Sequence, residues 1–141
     1  MNDDLSRFVE AQEPHIATVM AELTAGRKRT HWMWFMFPQL RGLGRSEMAR
    51  HFGLASLAEA AAYLAHPILG TRLRDGVAAM LAVQGRSAHE IFGSPDDLKL
   101  RSCLTLFREI DGADGVFARA LMQYFDGQPD HRTLQLLADP R

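Results

Sequence analysis

Along most of the chain, apolar residues recur three or four positions apart, the spacing that lines one face of an α-helix. Leu5, Phe8 and Val9 begin the series over residues 5–12. Ile16, Val19, Met20 and Leu23 continue it, with Pro14 suited to a first turn and Gly26 where a left-handed cap belongs. Ile68, Leu69, Leu73, Val77, Met80 and Leu81 mark a longer helix ending near Gly85. Gly76 weakens it from inside, by about 1 kcal/mol against alanine. Leu100, Cys103, Leu104, Phe107 and Ile110 predict another helix, broken around Gly112 and Gly115. Val116, Phe117, Ala120, Leu121, Tyr124 and Phe125 predict a further one, stopped by Gly127 and Pro129. Leu134 and Leu137 belong to a last short helix that Asp130 caps.

Start and stop signals agree with this periodicity. Ser46 caps a short helix over SEMARHF that Gly53 closes. Ser56 with Glu59, and Ser87 with Glu90, have the spacing of a capping box. His66-Pro67 marks a break between helices. Ser94-Pro95-Asp96-Asp97 is the strongest start in the chain: a capping serine, a proline at the first helical position, and two acids facing the positive end of the helix dipole. Hairpin signals, strand-helix alternation and internal repeats are all missing. The expectation is an all-α fold, a compact single-domain bundle of about seven to nine short helices spanning residues 1–141.

Residues 28–46, KRTHWMWFMFPQLRGLGRS, stand apart because they hold both tryptophans beside a glycine turn set among arginines. Periodicity does not decide HWMWFMF, which is apolar throughout. A buried helix over about residues 29–37, ended by Pro38, is the preferred reading, and a strand is the alternative. On a helix, Trp32 and Trp34 point ~200° apart, so one anchors the core while the other lines a groove or meets a second helix.

Composition narrows the classes. The chain has 141 residues, 47% of them apolar, enough for a core without staples. A net charge of −1 gives no electrostatic footprint for nucleic acid, so that partner is not expected. Cys103 is the sole cysteine, which excludes an internal disulfide and a cysteine-rich zinc site. The acidic start MNDDLSRFVEAQ does not read as a signal peptide, and no run approaches the ~18–20 apolar residues of a membrane span. The cytoplasm is the expected location. The six histidines are scattered and no HExxH is present, so no metal site and no cofactor are expected.

Three places carry candidate chemistry. In a helix, His31 lies over Trp34 and Phe35, where it is either a tunable acid or base or a partly buried histidine bonded to backbone. In RGLGRS, Gly42 and Gly44 let backbone amides approach a ligand, and Ser46 opens a helix whose free N–H groups favour anions. Arg41 and Arg45, with Lys28 and Arg29 upstream, add charge for a phosphate or carboxylate. A capped turn among solvated arginines accounts for the same letters. In DDLKLRSCLT, Asp97 pairs with Arg101 at helical spacing, Arg101 stands four before Thr105, and Ser102 adds a hydroxyl. That strip lines a pocket if its helix packs beside the tryptophans, and is otherwise an exposed salt-bridged face. Cys103, among apolar residues, reads as a buried inert thiol.

The runs FVEAQ, GRKRTHWMWFMFPQLRGLGRS, HPILGTRL and FGSPDDLKLRSCLTLF resemble a bacterial family known as domain of unknown function 1810, over roughly residues 8–137. The resemblance implies a compact, mostly helical domain and no established activity. Family members sometimes carry the label calpastatin, which nothing here supports, since an inhibitor of that kind is long, polar and disordered. The family's characteristic runs fall on His31, Trp32, Trp34, Pro38, Gln39, Gly42, Gly44, Asp97, Lys99, Ser102 and Thr105, as a pattern without assigned roles.

Together these observations point to a small binding domain with a pocket between the tryptophan stretch and the helix carrying Asp97 and Thr105. Its ligand would be a small anionic or nucleotide-like molecule. The candidate binding residues are Lys28, His31, Trp34, Gln39, Arg41, Gly42, Gly44, Asp97, Lys99, Arg101, Ser102 and Thr105. One alternative is a hydrolase of a nucleotide or glycosidic bond, with His31 as acid or base and Asp97 orienting it, which requires the two to meet. Another is a protein-interaction module, which requires a contiguous exposed apolar patch.

Overall fold

A computed structural model describes residues 5–138; the first four residues of the acidic N-terminal stretch and the last three of the chain lie outside it. The described residues form ten helices: α1 (Ser6–Gln12), α2 (Ile16–Ala25), α3 (Met33–Met36), α4 (Glu47–His51), α5 (Leu57–Ala65), α6 (Leu69–Leu81), α7 (Ala88–Phe92), α8 (Asp96–Asp111), α9 (Val116–Phe125) and α10 (His131–Ala138). The fold is all-α. Seven helices have seven or more residues, and α3, α4 and α7 are little more than single turns. The extended pairing among the described residues is one parallel bridge between Leu40 and Leu54.

The caps largely follow the sequence signals. Gly26 takes a left-handed conformation with φ of 73° and closes α2. The Ser46 and Ser56 hydroxyls accept from Ala49 and Glu59 N–H groups, and Ser87 with Glu90 forms a complete capping box. The Ser56 signal is half a box, because the Glu59 carboxylate accepts from the Ala55 N–H at 2.7 Å. Asp130 caps α10, its Oδ2 accepting from the Thr133 N–H at 2.9 Å. At α8 the expected serine cap is displaced: Pro95 occupies the cap position and Asp96 begins the helix.

The centre of the fold is α8, which packs against α5, α7, α9 and α10. Residues 102–107 are buried all round it, more than the single apolar face that periodicity predicts. Burial of its polar members is possible because the Ser102 and Thr105 hydroxyls donate to the Leu98 and Arg101 carbonyls. On the other side α6 packs against α2, α5 and α9. Gly76, a weak spot on propensity alone, sits where a Cβ would lie 3.4 Å from both Leu23 Cδ1 and Phe37 Cζ. Gly70 is tighter still, since a Cβ there would fall 2.0 Å from the Leu64 carbonyl oxygen.

The expected helix over residues 29–37 is the main correction. Helical structure begins only at Met33, and residues 28–32 run outside it. The segment is instead bonded to the Glu22 carboxylate, buried near the end of α2. It accepts from the Arg29 N–H at 2.9 Å, the Thr30 N–H at 3.2 Å, the Thr30 hydroxyl at 2.9 Å and Trp32 Nε1 at 2.8 Å. These bonds tie the non-helical segment to α2 and turn Trp32 inward as the residue before α3. With no helix there, His31 is not stacked over Trp34 and Phe35; it is an exposed residue of the connecting segment.

A second buried polar group ties the other end of α3. Gln12 Nε2 donates to the Phe35 carbonyl at 2.7 Å and to the Tyr63 hydroxyl at 3.0 Å, while Arg72 donates to Gln12 Oε1 at 3.3 Å. Burial raises the Tyr63 phenol, which keeps it protonated. The short helix is therefore held at both ends by side chains from α1 and α2.

Burial alone would raise the Glu22 carboxyl, but its hydrogen bonds from Arg29, Trp32 and Thr30 outweigh that and hold it below the ordinary 4.5. A depressed folded value means stabilisation present above the ordinary glutamate range and lost as pH falls through the folded value. Glu22→Gln is expected to cost about 2 kcal/mol at neutral pH, by leaving buried donors short of acceptors. Urea titrations should show wild type losing part of this advantage below pH ~4.5, where the variant changes less. Gly70→Ala is expected to destabilise by about 2–3 kcal/mol, as backbone must move, while Gly76→Ala stays within about 1 kcal/mol of wild type.

Candidate functional site

The segment after α3 turns the chain toward α8. Its backbone is pinned by the bridge at Leu40: the Leu54 N–H donates to the Gln39 carbonyl at 2.9 Å and the Arg41 N–H to the Leu54 carbonyl at 2.8 Å. Gly44 then passes α4 so closely that a Cβ would lie 2.6 Å from Ala49 Cβ. The result is a cleft of about 290 Å³ between this loop, the first turns of α8 and the start of α10. Gln39, Leu43 and Gly44 form one wall, Leu98, Lys99, Arg101 and Ser102 another, and Asp130 with Arg132 the end. Beside it is a pinhole of about 10 Å³ under Met33, Trp34, Phe37 and Phe52, which shares Gln39 and Lys99 with the cleft. That is room for about one water.

The two tryptophans divide as expected. Trp32 is fully buried and donates to Glu22, while Trp34 is half-buried with Lys99 Nζ 5.0 Å from its ring centroid. The tryptophan stretch and α8 do meet. Lys28 Nζ lies 2.9 Å from Asp96 Oδ2, donates to the Thr30 carbonyl at 2.7 Å, and sits 5.1 Å from the Trp32 ring centroid. With its side chain 6% exposed, Lys28 is a clasp between the loop and α8, not a ligand group.

Of the sequence-expected site residues, Trp34, Gln39, Gly44, Lys99, Arg101 and Ser102 come together around the two cavities. The others lie elsewhere. Arg41 donates to the Arg50 and Gly53 carbonyls, and Arg7 to those of His51 and Gly53, so both arginines cap the C-terminal end of α4. Gly42 is exposed, with a φ of 105° that serves the turn. Thr105 is fully buried and accepts from the Asp130 N–H at 2.8 Å, joining α8 to the α10 cap. Asp97 is 3.3 Å from His89 Nδ1 and accepts from the Leu98 N–H. The histidine that Asp97 meets is therefore His89, itself 69% exposed, and not His31.

Arg101 also departs from its expected pairing with Asp97. Its Nε donates to the Gln128 carbonyl at 2.9 Å, and its guanidinium stands 5.7 Å from the Phe125 ring centroid. This anchor engages Nε, and the side chain lines the cleft. Lys99 is held loosely, 3.7 Å from Asp96 Oδ1. Arg132, which no pattern in the sequence singled out, and Asp130, read only as a cap, also line the cleft. Glu22 was missed as well; its signal was its place on the buried stripe three residues after Val19. The lining thus has three cations, Lys99, Arg101 and Arg132, against Asp130, whose Oδ2 is already engaged by the Thr133 N–H and hydroxyl.

Burial pushes the Cys103 thiol well up, so it is no nucleophile. Among the described residues, no three histidine, cysteine, aspartate or glutamate side chains are grouped to hold a metal ion. No helix among the described residues is long and apolar enough to cross a membrane. If Lys28 is a clasp, Lys28→Met should lower stability by about 2 kcal/mol, because it leaves Asp96 without its close partner. The exposed neighbour change Arg29→Ala should stay within about 0.5 kcal/mol, and chemical denaturation compares the two.

No curated protein matches this chain. Among solved structures, it superposes on the crystal structure of the conserved hypothetical protein Rv1873 from Mycobacterium tuberculosis with a TM-score of 0.94. That similarity extends over 96% of this chain and 97% of the other at 54% sequence identity. The profile of the family described as "Protein of unknown function (DUF1810)" matches residues 2–137, and the chain belongs to that family.

Proposed function

We propose that the chain is a binding domain for a small anionic, nucleotide-like ligand held in the cleft between the 39–44 loop, α8 and α10. The observation that carries this reading is the lining itself: Lys99, Arg101 and Arg132 converge on one concavity with Trp34 close by. Arginine forks and a lysine suit phosphate or carboxylate oxygens. Arg101 is already anchored by its bond to Gln128, which lowers the ordering cost of binding. At about 290 Å³ the cleft is at the small end of ligand pockets, a size for a small metabolite.

The alternatives have less support. Hydrolysis by His31 with Asp97 needs the two side chains to converge, and Asp97 is engaged by His89. An interaction module needs a contiguous apolar face. The large exposed apolar side chains Met48, Leu57, Leu98 and Met122 stand on four separate helices, with Ile68 just ahead of α6.

Titration calorimetry and thermal shift with inorganic phosphate, pyrophosphate and sugar phosphates test the reading. Bound ligand at ~100 times its dissociation constant should add ~2.7 kcal/mol of stability. Arg132→Ala should weaken binding by about tenfold, the worth of a partly exposed charge-assisted hydrogen bond, with its melting temperature unchanged. Phosphorylated ligands that fail to bind, or that bind Lys99→Ala/Arg132→Ala as tightly as wild type, would refute it.

A further inference from the structure

Arg101 and Arg132 bring positive charge to the cleft, and Trp34, whose half-buried ring has Lys99 Nζ 5.0 Å from its centroid, lines the pinhole that adjoins it. Between them is Gln39, which lines both the open cleft and the pinhole beneath Trp34. Its backbone is immobilised by the bridge to Leu54, whose N–H it accepts at 2.9 Å. Its side-chain amide has no protein partner among the described residues, and no buried polar side-chain atom is left without one, so this amide is open to the cleft. The glycine at 44 keeps that space free: a Cβ there would come within 3.5 Å of Gln39 Nε2 as well as colliding with Ala49.

An unpaired, backbone-anchored amide presents a donor and an acceptor side by side, the complement of a heterocyclic base edge. A flat aromatic ring beside it supplies a stacking surface that tolerates any base. The group covering that ring is the flexible Lys99 side chain, and base stacking outweighs a cation–π contact at an exposed site. Displaced from Trp34, Lys99 stays within the cleft lining and adds to the charge available to a phosphate. The cleft volume of about 290 Å³ suits one nucleotide and is too small for a dinucleotide.

We infer that the ligand is a nucleoside monophosphate, with its phosphate on Arg101 and Arg132, its base against Trp34 and its base edge read by Gln39. This rests on the anion-binding reading above and adds the base, its position and the residue that selects it.

The test is calorimetric titration of the full chain with AMP, GMP, CMP, UMP, ribose 5-phosphate and inorganic phosphate. At least one of the four nucleotides should bind tenfold or more tighter than ribose 5-phosphate, quenching tryptophan emission as it does. In Trp34→Phe the quenching should vanish. In Gln39→Ala the nucleotide should fall to within about threefold of ribose 5-phosphate, with ribose 5-phosphate binding and melting temperature unchanged. Ribose 5-phosphate binding as tightly as every nucleotide would overturn the base assignment and leave the anion site standing. A nucleotide preference that survives Gln39→Ala would overturn the edge reading. Absence of binding by all six would remove the anion site and this inference with it.

Discussion

The Glu22 carboxylate imposes the constraint on which the rest of the molecule depends. A buried carboxylate must collect donors or lose its charge. Here it collects two backbone N–H groups, a hydroxyl and an indole within eleven residues of chain, which ties the non-helical residues 28–32 to α2. Trp32 is thereby turned inward, where its ring meets Phe37 and Phe92. Because Trp32 faces the core just before α3 begins, Trp34 is left near the surface beside Lys99. The division of labour between two near-adjacent tryptophans follows from one acid in a different helix.

The same economy governs the charged residues. Lys28, Arg7, Arg41 and Arg72 are cations with structural duties: a clasp to Asp96, two caps on α4, and the outer member of the Gln12 network. Such bonds occupy donors at fixed geometry, and a donor so occupied is not free for a ligand. What distinguishes the cleft is that its cations are held lightly or by one nitrogen only. Lys99 is 3.7 Å from its carboxylate, and Arg101 is anchored through Nε alone. Arg132 completes the set from α10, which begins 35 residues after α8 does.

The site is also a by-product of how α8 is surrounded. A helix buried through its middle has only its ends to offer, and the cleft uses its N-terminal turns, where Leu98, Lys99 and Arg101 emerge from the packing beside the buried Ser102. Thr105, one turn further in, has passed into the interior and serves as the tie between α8 and the α10 cap. A polar residue on this helix changes from lining to structure over a single turn.

Much of the fold was legible in the chain. Helix periodicity, glycine stops and serine caps located the helices, because these signals act through contacts within a few residues. The split of the tryptophans and the buried Cys103 thiol could be anticipated from residue type and spacing, whereas the chain left open whether the tryptophan stretch meets α8. What local pattern could not supply was the partner of each polar group. The i,i+4 spacing of Asp97 and Arg101 predicts a pair, yet His89 and Gln128 take them instead. The apolar run before Pro38 predicts a helix, yet only Met33–Met36 is helical and the residues before it are bonded to Glu22. Arg41 and Lys28 read as ligand groups until α4 and Asp96 claim them. Helix formation is decided by neighbours in sequence, which the chain carries openly. Which donor meets which acceptor is decided by neighbours in space, and only the packing of α2, α4, α8 and α10 around the tryptophan stretch brings those together.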